Sequence, residues 1–238
     1  MSTAAEREYI HKPDACMNMK SKPIRYYPIF LNIRGKKCVV VGGGEVGLRK
    51  VKTLLDSGAN VTVISPTPDR EITKLSKERT IHLVQRDYEA GDLKGAVIAV
   101  AATDVKKINR NVAEEARKAR VPVNVADDSK PSDFIIPSSF RRGDLTVAVS
   151  TAGVSPALAR KIRTRLEERF GEEYASLLPL IGEVRSILKK RGYTASAEAW
   201  QKALDLDLLI ALTQKGRLKK AKDLLLTRLI PDPETMKI

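Results

Sequence analysis

The sequence predicts an α/β protein: a doubly wound parallel sheet first, an all-helical region last. Three observations carry this. Short apolar, β-branched runs alternate with amphipathic stretches from Lys37 to about Ala126. A glycine-rich turn follows the first of these runs directly. From Glu172 onward every periodic segment has helical spacing. The first pattern is that of βαβ units, whose strands are covered on both faces and so lose the polar alternation of a half-exposed sheet.

In order along the chain, residues 1–24 are polar, hold Pro13 and Pro23, show no periodicity, and are expected to form a flexible extension. Lys37–Val41 is the first strand. Glu45–Ser57 is the first helix, with Val46, Leu48, Val51, Leu54 and Leu55 on one face and Gly58 as its stop. Asn60–Ser65, Ile81–Gln85, Ala96–Ala102 and Pro122–Ala126 are the second to fifth strands, and Val105–Arg120 is a helix before the fifth. Phe134–Pro137 and Leu145–Ser150 are expected to be two further strands around a turn at Arg141–Asp144. Ser155 and Pro156 then start a helix that runs to about Phe170, with serine as N-cap and proline at the first helical position. Helices are expected over 172–191, 196–214 and 217–229, separated by Gly171, Gly192 and Gly216, with Trp200, Leu204 and Leu208 as core.

Composition removes several classes. Of 238 residues 42% are hydrophobic and 30% charged, enough apolar matter for a core. The longest apolar run, Ala96–Ala102, is far short of the roughly 18 residues of a membrane helix, and Met1–Lys22 lacks a secretory apolar block, so a cytoplasmic, membrane-free protein is expected. Two cysteines, Cys16 and Cys38, build neither a disulfide framework nor a zinc site. Two histidines, His11 and His82, leave little room for a Ser-His-Asp hydrolase or a histidine-rich metal centre. The net charge of +14 asks for an anionic partner, but its spread along the chain speaks against a basic nucleic-acid-binding arm.

Gly42-Gly43-Gly44-Glu45-Val46-Gly47 is a G-x-G-x-x-G turn between a buried strand and a helix. In that position Gly42 permits the tight turn, Gly44 lets a pyrophosphate reach the backbone, and Gly47 lets the helix pack closely. The helix N-terminus then favours phosphate charge. A dinucleotide cofactor follows. The acidic residue expected at the end of the second strand is missing: Ser65-Pro66-Thr67-Pro68 precedes Asp69, and Arg70 follows. Charge at this point leaves NAD and NADP both open.

No tyrosine has a lysine four positions later, so the Tyr-x-x-x-Lys pair of short-chain dehydrogenases is absent. With histidine scarce, an acid–base group is expected to be a carboxylate. Asp104 and Asp127 stand at the carboxyl ends of strands, where open α/β sheets bind ligands. Asp104 reads equally as a helix cap.

Tyr27–Leu31, Val41–Val46 with Arg49-Lys50, Ala101–Asp104, Asn124-Val-Ala-Asp127, Phe134–Pro137 and Val147–Pro156, in this order over residues 25 to 191, resemble the precorrin-2 dehydrogenase family of sirohaem synthesis. The resemblance implies a Rossmann domain (25–136), a dimerisation segment (137–170) that makes a homodimer, and a helical C-terminal domain (171–238). It implies NAD-dependent oxidation of the tetrapyrrole precorrin-2 to sirohydrochlorin, and in some members insertion of ferrous iron. At 238 residues, and with no second glycine-rich fingerprint, the chain is expected to lack the methyltransferase domain that other members carry.

By the same resemblance Gly42, Gly43, Gly44, Glu45 and Val46 hold the pyrophosphate, Ser65, Pro66 and Thr67 flank the adenosine ribose, and Thr103 and Asp104 line the cofactor cleft. Asp127 is the general base. Asn124, Ser150, Thr151, Arg141 and Arg160 are candidates for the substrate, the arginines, with Arg142, Lys161 and Arg163, for its carboxylates. Ser150-Thr151 reads equally as a strand end turning into the Ser155 cap. The competing reading is a non-catalytic NAD-sensing module whose basic helical tail binds nucleic acid.

Overall fold

A computed structural model of the chain describes residues 24–126, 128 and 130–230. Asp127 and residues 1–23 of the expected extension lie outside the described residues. Strands β1 (Lys37–Val41), β2 (Asn60–Ile64), β3 (His82–Val84), β4 (Ile98–Ala101) and β5 (Val123–Val125) form one sheet, all parallel, in the order β3-β2-β1-β4-β5. Around it lie α1 (Glu45–Asp56), α2 (Arg70–Lys77) and α3 (Lys106–Ala119). This is the Rossmann-type arrangement the sequence predicts, and all five expected strands are present, the first with the expected bounds and the other four with trimmed ends.

Successive side chains of a strand point to opposite faces, so a run of valines feeds two cores at once. Val39 and Val41 of β1 and Ala99 and Ala101 of β4 pack with Val112, Ala113 and Ala116 of α3. Cys38 and Val40, with Ile98 and Val100, pack on the other face against Val51 and Leu54 of α1 and Ile72 of α2. Burial pushes the Cys38 thiol up to about 11, which suits the small core residue its strand position suggests.

Helix α2 is absent from the sequence-based expectation. It has eight residues and offers the core little more than Ile72 and Leu75. Its start is set by Asp69, whose carboxylate accepts from Glu71 N at 2.7 Å.

A second sheet is the antiparallel hairpin β6 (Ser138–Arg142) and β7 (Leu145–Val149), with Phe140 opposite Val147 and Gly143 at the turn. The expectation of a strand over Phe134–Pro137 is corrected: the strand begins at Ser138, one residue after a proline that has no N–H to give a ladder. Phe134 packs on the α1 side of the parallel sheet instead. Helix α4 (Pro156–Arg169) starts as predicted, Ser155 Oγ accepting from Leu158 N at 3.2 Å.

Helices α5 (Glu173–Lys190), α6 (Ala197–Ala203), α7 (Leu206–Gln214) and α8 (Leu218–Leu229) share a third core around Leu177, Val184, Leu209 and Leu225. The single helix expected over 196–214 is two. Asp205 caps a new start by accepting from Leu208 N at 3.2 Å. Arg228 holds the break, donating to the Ala203 carbonyl at 3.3 Å and pairing with Asp205 at 3.5 Å. Trp200 and Leu204 pack on this core as expected, whereas Leu208 is exposed. Arg142 ties hairpin to helices: its Nε donates to the Phe170 carbonyl at 3.1 Å, and its guanidinium pairs with Glu167 and Glu172 and lies 5.5 Å from the Phe140 ring. No described helix is long and apolar enough to cross a membrane.

Candidate functional site

The sheet order reverses direction beside β1: the chain goes from β1 outward to β2 and β3, then returns to β4 on the other side. The strand ends diverge there and leave a crevice outside the sheet. Gly42 N donates to Ile64 O at 2.9 Å, Ala102 N to Val41 O at 2.7 Å, and Ala126 N to Ala101 O at 2.8 Å, which brings the carboxyl ends of β2, β1, β4 and β5 together. The resulting cleft holds about 520 Å³, the size of a small-molecule site.

Residues 42–46, Ser65, Pro66, Thr67, Thr103 and Asp104 all line this cleft. Ten residues chosen from three separated stretches of sequence thus meet in one place. Gly42 has φ +115°, and a Cβ on it would lie 2.3 Å from the Ala102 carbonyl oxygen. Only glycine fits between the two loops. A Cβ on Gly47 would lie 2.2 Å from Gly42 O, so its closeness is to the glycine turn itself more than to the strand. A Cβ on Gly44 would meet nothing within 4 Å. Gly44 is also the N-cap of α1 and no side chain caps that end, which leaves the first-turn amides of α1 to a ligand.

Thr103 is fixed from α3. Asn109, itself buried, receives Thr103 N at 3.2 Å and Thr103 Oγ1 at 2.8 Å on Oδ1, and its Nδ2 donates to Thr103 O at 2.8 Å. Asp104 is exposed, and the N-cap of α3 is Val105, without a side-chain cap bond. The reading of Asp104 as a helix cap is therefore corrected: no side chain caps α3, and the turn before it is held by Thr103 Oγ1, which accepts from Val105 N at 3.2 Å.

Sequence reasoning missed Asp87, Tyr88, Val105, Ile108 and Ala126, which line the cleft too. Asp87 and Tyr88 follow the edge strand β3, and only the strand order shows that this loop turns inward. Burial first, and then the hydrogen bond to Glu115, push the Tyr88 phenol well above the usual tyrosine range, so it remains a donor. Among the described lining residues the charged ones are Glu45, Asp87 and Asp104, all acidic.

The substrate candidates lie apart from the cleft lining. Asn124 is buried and donates to Phe134 O at 3.0 Å. Ser150 Oγ accepts from Ala152 N at 3.0 Å, and Thr151 Oγ1 accepts from Ser155 N at 3.1 Å and donates to Ser155 O at 3.0 Å, the strand-to-helix turn that was the alternative reading. Arg141 donates to Asp56 O at 3.0 Å and to Ser57 Oγ at 3.3 Å. These are at the far end of α1 from the glycine turn, about 18 Å along the helix axis. Arg160 and Lys161 are exposed on α4, and Arg163 pairs with Glu167.

Residues 29–138 match the family model described as putative NAD(P)-binding, and residues 142–169 match that of the sirohaem biosynthesis protein central region. The siroheme synthase of Methylococcus capsulatus is 38% identical over 203 residues, 84% of this chain and 43% of that protein. That of Methylobacillus flagellatus is 42% identical over 164 residues, 69% and 35% respectively. Over these stretches the chain is similar to siroheme synthases. It spans less than half the length of these curated relatives. Among solved structures, SirC, a precorrin-2 dehydrogenase, superposes with a TM-score of 0.67 at 26% identity, over 83% of this chain and 100% of that one. The NAD(P)-binding match falls on the parallel sheet and the central-region match on the end of the hairpin with α4.

Proposed function

We propose that the chain oxidises precorrin-2 to sirohydrochlorin with NAD as hydride acceptor. The observation that carries this is the convergence of the glycine turn, the end of β2 and the loop after β4 on one cleft at the switch point of the sheet. The likeness to SirC over its whole length and to siroheme synthases supports the substrate. The residues fit a dinucleotide. The α1 amides are uncapped, the space beside Gly44 is open, and Ser65 and Thr67 offer hydroxyls at the end of β2. When bound, the nicotinamide supplies an acceptor for hydride.

The choice of NAD over NADP rests on charge. The described cleft lining has three carboxylates and no basic side chain, and Arg70 is not part of it. A 2′-phosphate would meet repulsion without a counter-charge. Affinity for NADP is expected to be at least about tenfold weaker than for NAD by titration.

Asp127 is proposed as the general base that takes the proton while hydride leaves the macrocycle. Ala126, its neighbour in sequence, lines the cleft. The substrate's carboxylates are proposed to meet the exposed Arg160 and Lys161 of α4. A homodimer is proposed from the apolar side chains left in water along residues 24–31, in the turn before α4 and on α4: Tyr27 is 86% exposed, Phe30 79%, Val154 85% and Leu158 51%. The division into a Rossmann part, a dimerisation segment and a helical part is proposed with it. Insertion of ferrous iron into the product, with Asp127 again as proton acceptor, is proposed as a second step in the same cleft.

The test is incubation of the purified protein with NAD and precorrin-2 without oxygen. The expected result is NADH rising in step with sirohydrochlorin. A protein that binds NAD but leaves precorrin-2 unchanged would be a sensing module, and the proposal would fall. Iron uptake into sirohydrochlorin, followed by absorption with and without the protein, checks the second step.

A further inference from the structure

One wall of the cleft comes from the loop between β3 and β4, which holds Asp87 and Tyr88 and has neither strand nor helix. The loop is nevertheless fastened at two points. Arg86 Nη1 and Nη2 donate to Asp92 Oδ2 and Oδ1 at 2.9 and 2.7 Å, and Glu89 N donates to Asp92 Oδ2 at 2.9 Å, which closes the loop on itself. Glu115 of α3 then accepts from the Tyr88 hydroxyl, from Gly91 N at 3.0 Å and from Leu93 N at 3.2 Å. Leu93 is fully buried beneath the sheet, so the far end of the loop is anchored in the core.

The position of this wall says which half of a ligand it faces. A dinucleotide lies across the switch point with its pyrophosphate on the turn after β1 and its adenosine ribose at the end of β2. The loop after β3 stands on the β2 side. The Thr103 loop, held by Asn109, stands on the β4 side. Both walls are therefore tied to α3, six residues apart in sequence.

We propose that Glu115 is a positioning residue for the adenosine half of the cofactor, acting through Tyr88 and the loop it holds. This rests on the cleft being the dinucleotide site. Glu115 touches no ligand in this account. It sets the distance between the Tyr88 wall and the glycine turn.

The test is calorimetric titration with ADP-ribose and with NAD, using the wild type, Glu115→Ala, Glu115→Gln and Tyr88→Phe, with circular dichroism as the check on folding. ADP-ribose contains the adenosine half and lacks the nicotinamide. Glu115→Ala is expected to weaken both ligands by the same factor, about tenfold, the size of a lost charge-assisted hydrogen bond. Gly91 N and Leu93 N donate to different carboxylate oxygens of Glu115, so Glu115→Gln keeps an acceptor for one of the two amides and is expected to recover about half of that loss on a logarithmic scale. If Glu115→Ala does not fold, Tyr88→Phe carries the test, with an expected loss of about threefold in ADP-ribose affinity. The turnover number at saturating NAD is expected to stay within about twofold, since the nicotinamide side is untouched. Folded variants that bind ADP-ribose as tightly as the wild type would overturn the inference alone. So would a fall in turnover number with binding unchanged. A wild type that binds neither ligand would overturn the reading of the cleft, and this inference with it.

Discussion

At the scale of single residues, the glycine turn separates two kinds of requirement. Gly42 answers to the fold: its φ of +115° and the Ala102 carbonyl 2.3 Å from an added Cβ leave no room for a side chain. Gly42→Ala is expected to cost about 2–4 kcal/mol of stability, measured by chemical denaturation. Gly44 has no such constraint, since a Cβ there meets nothing within 4 Å, and its proposed role is toward the ligand. Gly44→Ala is expected to keep wild-type stability and to lose about tenfold or more in NAD affinity. Equal affinity in a folded Gly44→Ala protein would remove the pyrophosphate from this turn. The placement of these glycines was legible because turn, strand and helix follow one another within ten residues. Tyr88 and Asp87 were not legible, since nothing local marks a loop after an edge strand as part of a site.

Among the elements, α3 does the most to shape the cleft, and the loop between β3 and β4 that it fastens has a pH signature of its own. The Arg86 hydrogen bonds chiefly, with the Glu89 amide, hold the Asp92 carboxyl below the usual carboxylate range. A carboxyl with a depressed folded value contributes stability above its ordinary pKa of about 3.9, and that contribution disappears as pH falls through the lower folded value. Asp92→Asn is expected to cost about 1–3 kcal/mol at pH 7, the gap to wild type narrowing as pH drops below about 4. Thermal melts across that range check it, and a gap independent of pH would mean that the charge of Asp92 is irrelevant. The elements that the sequence showed poorly share a physical cause. Helix α2 buries few side chains, so its periodicity is faint, and its existence depends on the Asp69 cap and on the sheet beneath it. The break between α6 and α7 is decided by Asp205 and by Arg228 from α8, a partner far away in sequence. Phe134–Pro137 has the composition of a strand but no ladder partner. The buried strands, by contrast, were plain, because apolar cover on both faces leaves a β-branched run that few other environments produce.

On the scale of the whole molecule, apolar side chains that remain in water ask for a partner surface. Phe30 and Val154 are 79% and 85% exposed, and Leu158 and Ile162 of α4 are 51% and 37% exposed. A dimer through these surfaces is expected to dissociate in Leu158→Glu, seen as a halved mass by light scattering, with the parallel-sheet core unaffected. A Leu158→Glu protein of wild-type mass would put the contact elsewhere. The order of motifs along the chain foretold the sheet and the residues that meet in the cleft at its switch point, because a doubly wound sheet ties the ends of its central strands to its topology. The substrate side did not follow in the same way. Arg141 is spent on the end of α1, and Ser150 and Thr151 on the turn before α4. Binding of a large polyanion depends on side chains from separate elements, and no local pattern announces it.

The proposed chemistry turns on Asp127 removing a proton from a tetrapyrrole held in this cleft against a bound nicotinamide. Single-turnover kinetics of Asp127→Asn with NAD and precorrin-2, alongside NAD titration of the same protein, test it most directly. NAD affinity is expected to stay close to wild type while the rate of NADH formation falls by about 100-fold or more, the usual contribution of a general base. An Asp127→Asn protein that forms NADH at the wild-type rate would contradict it.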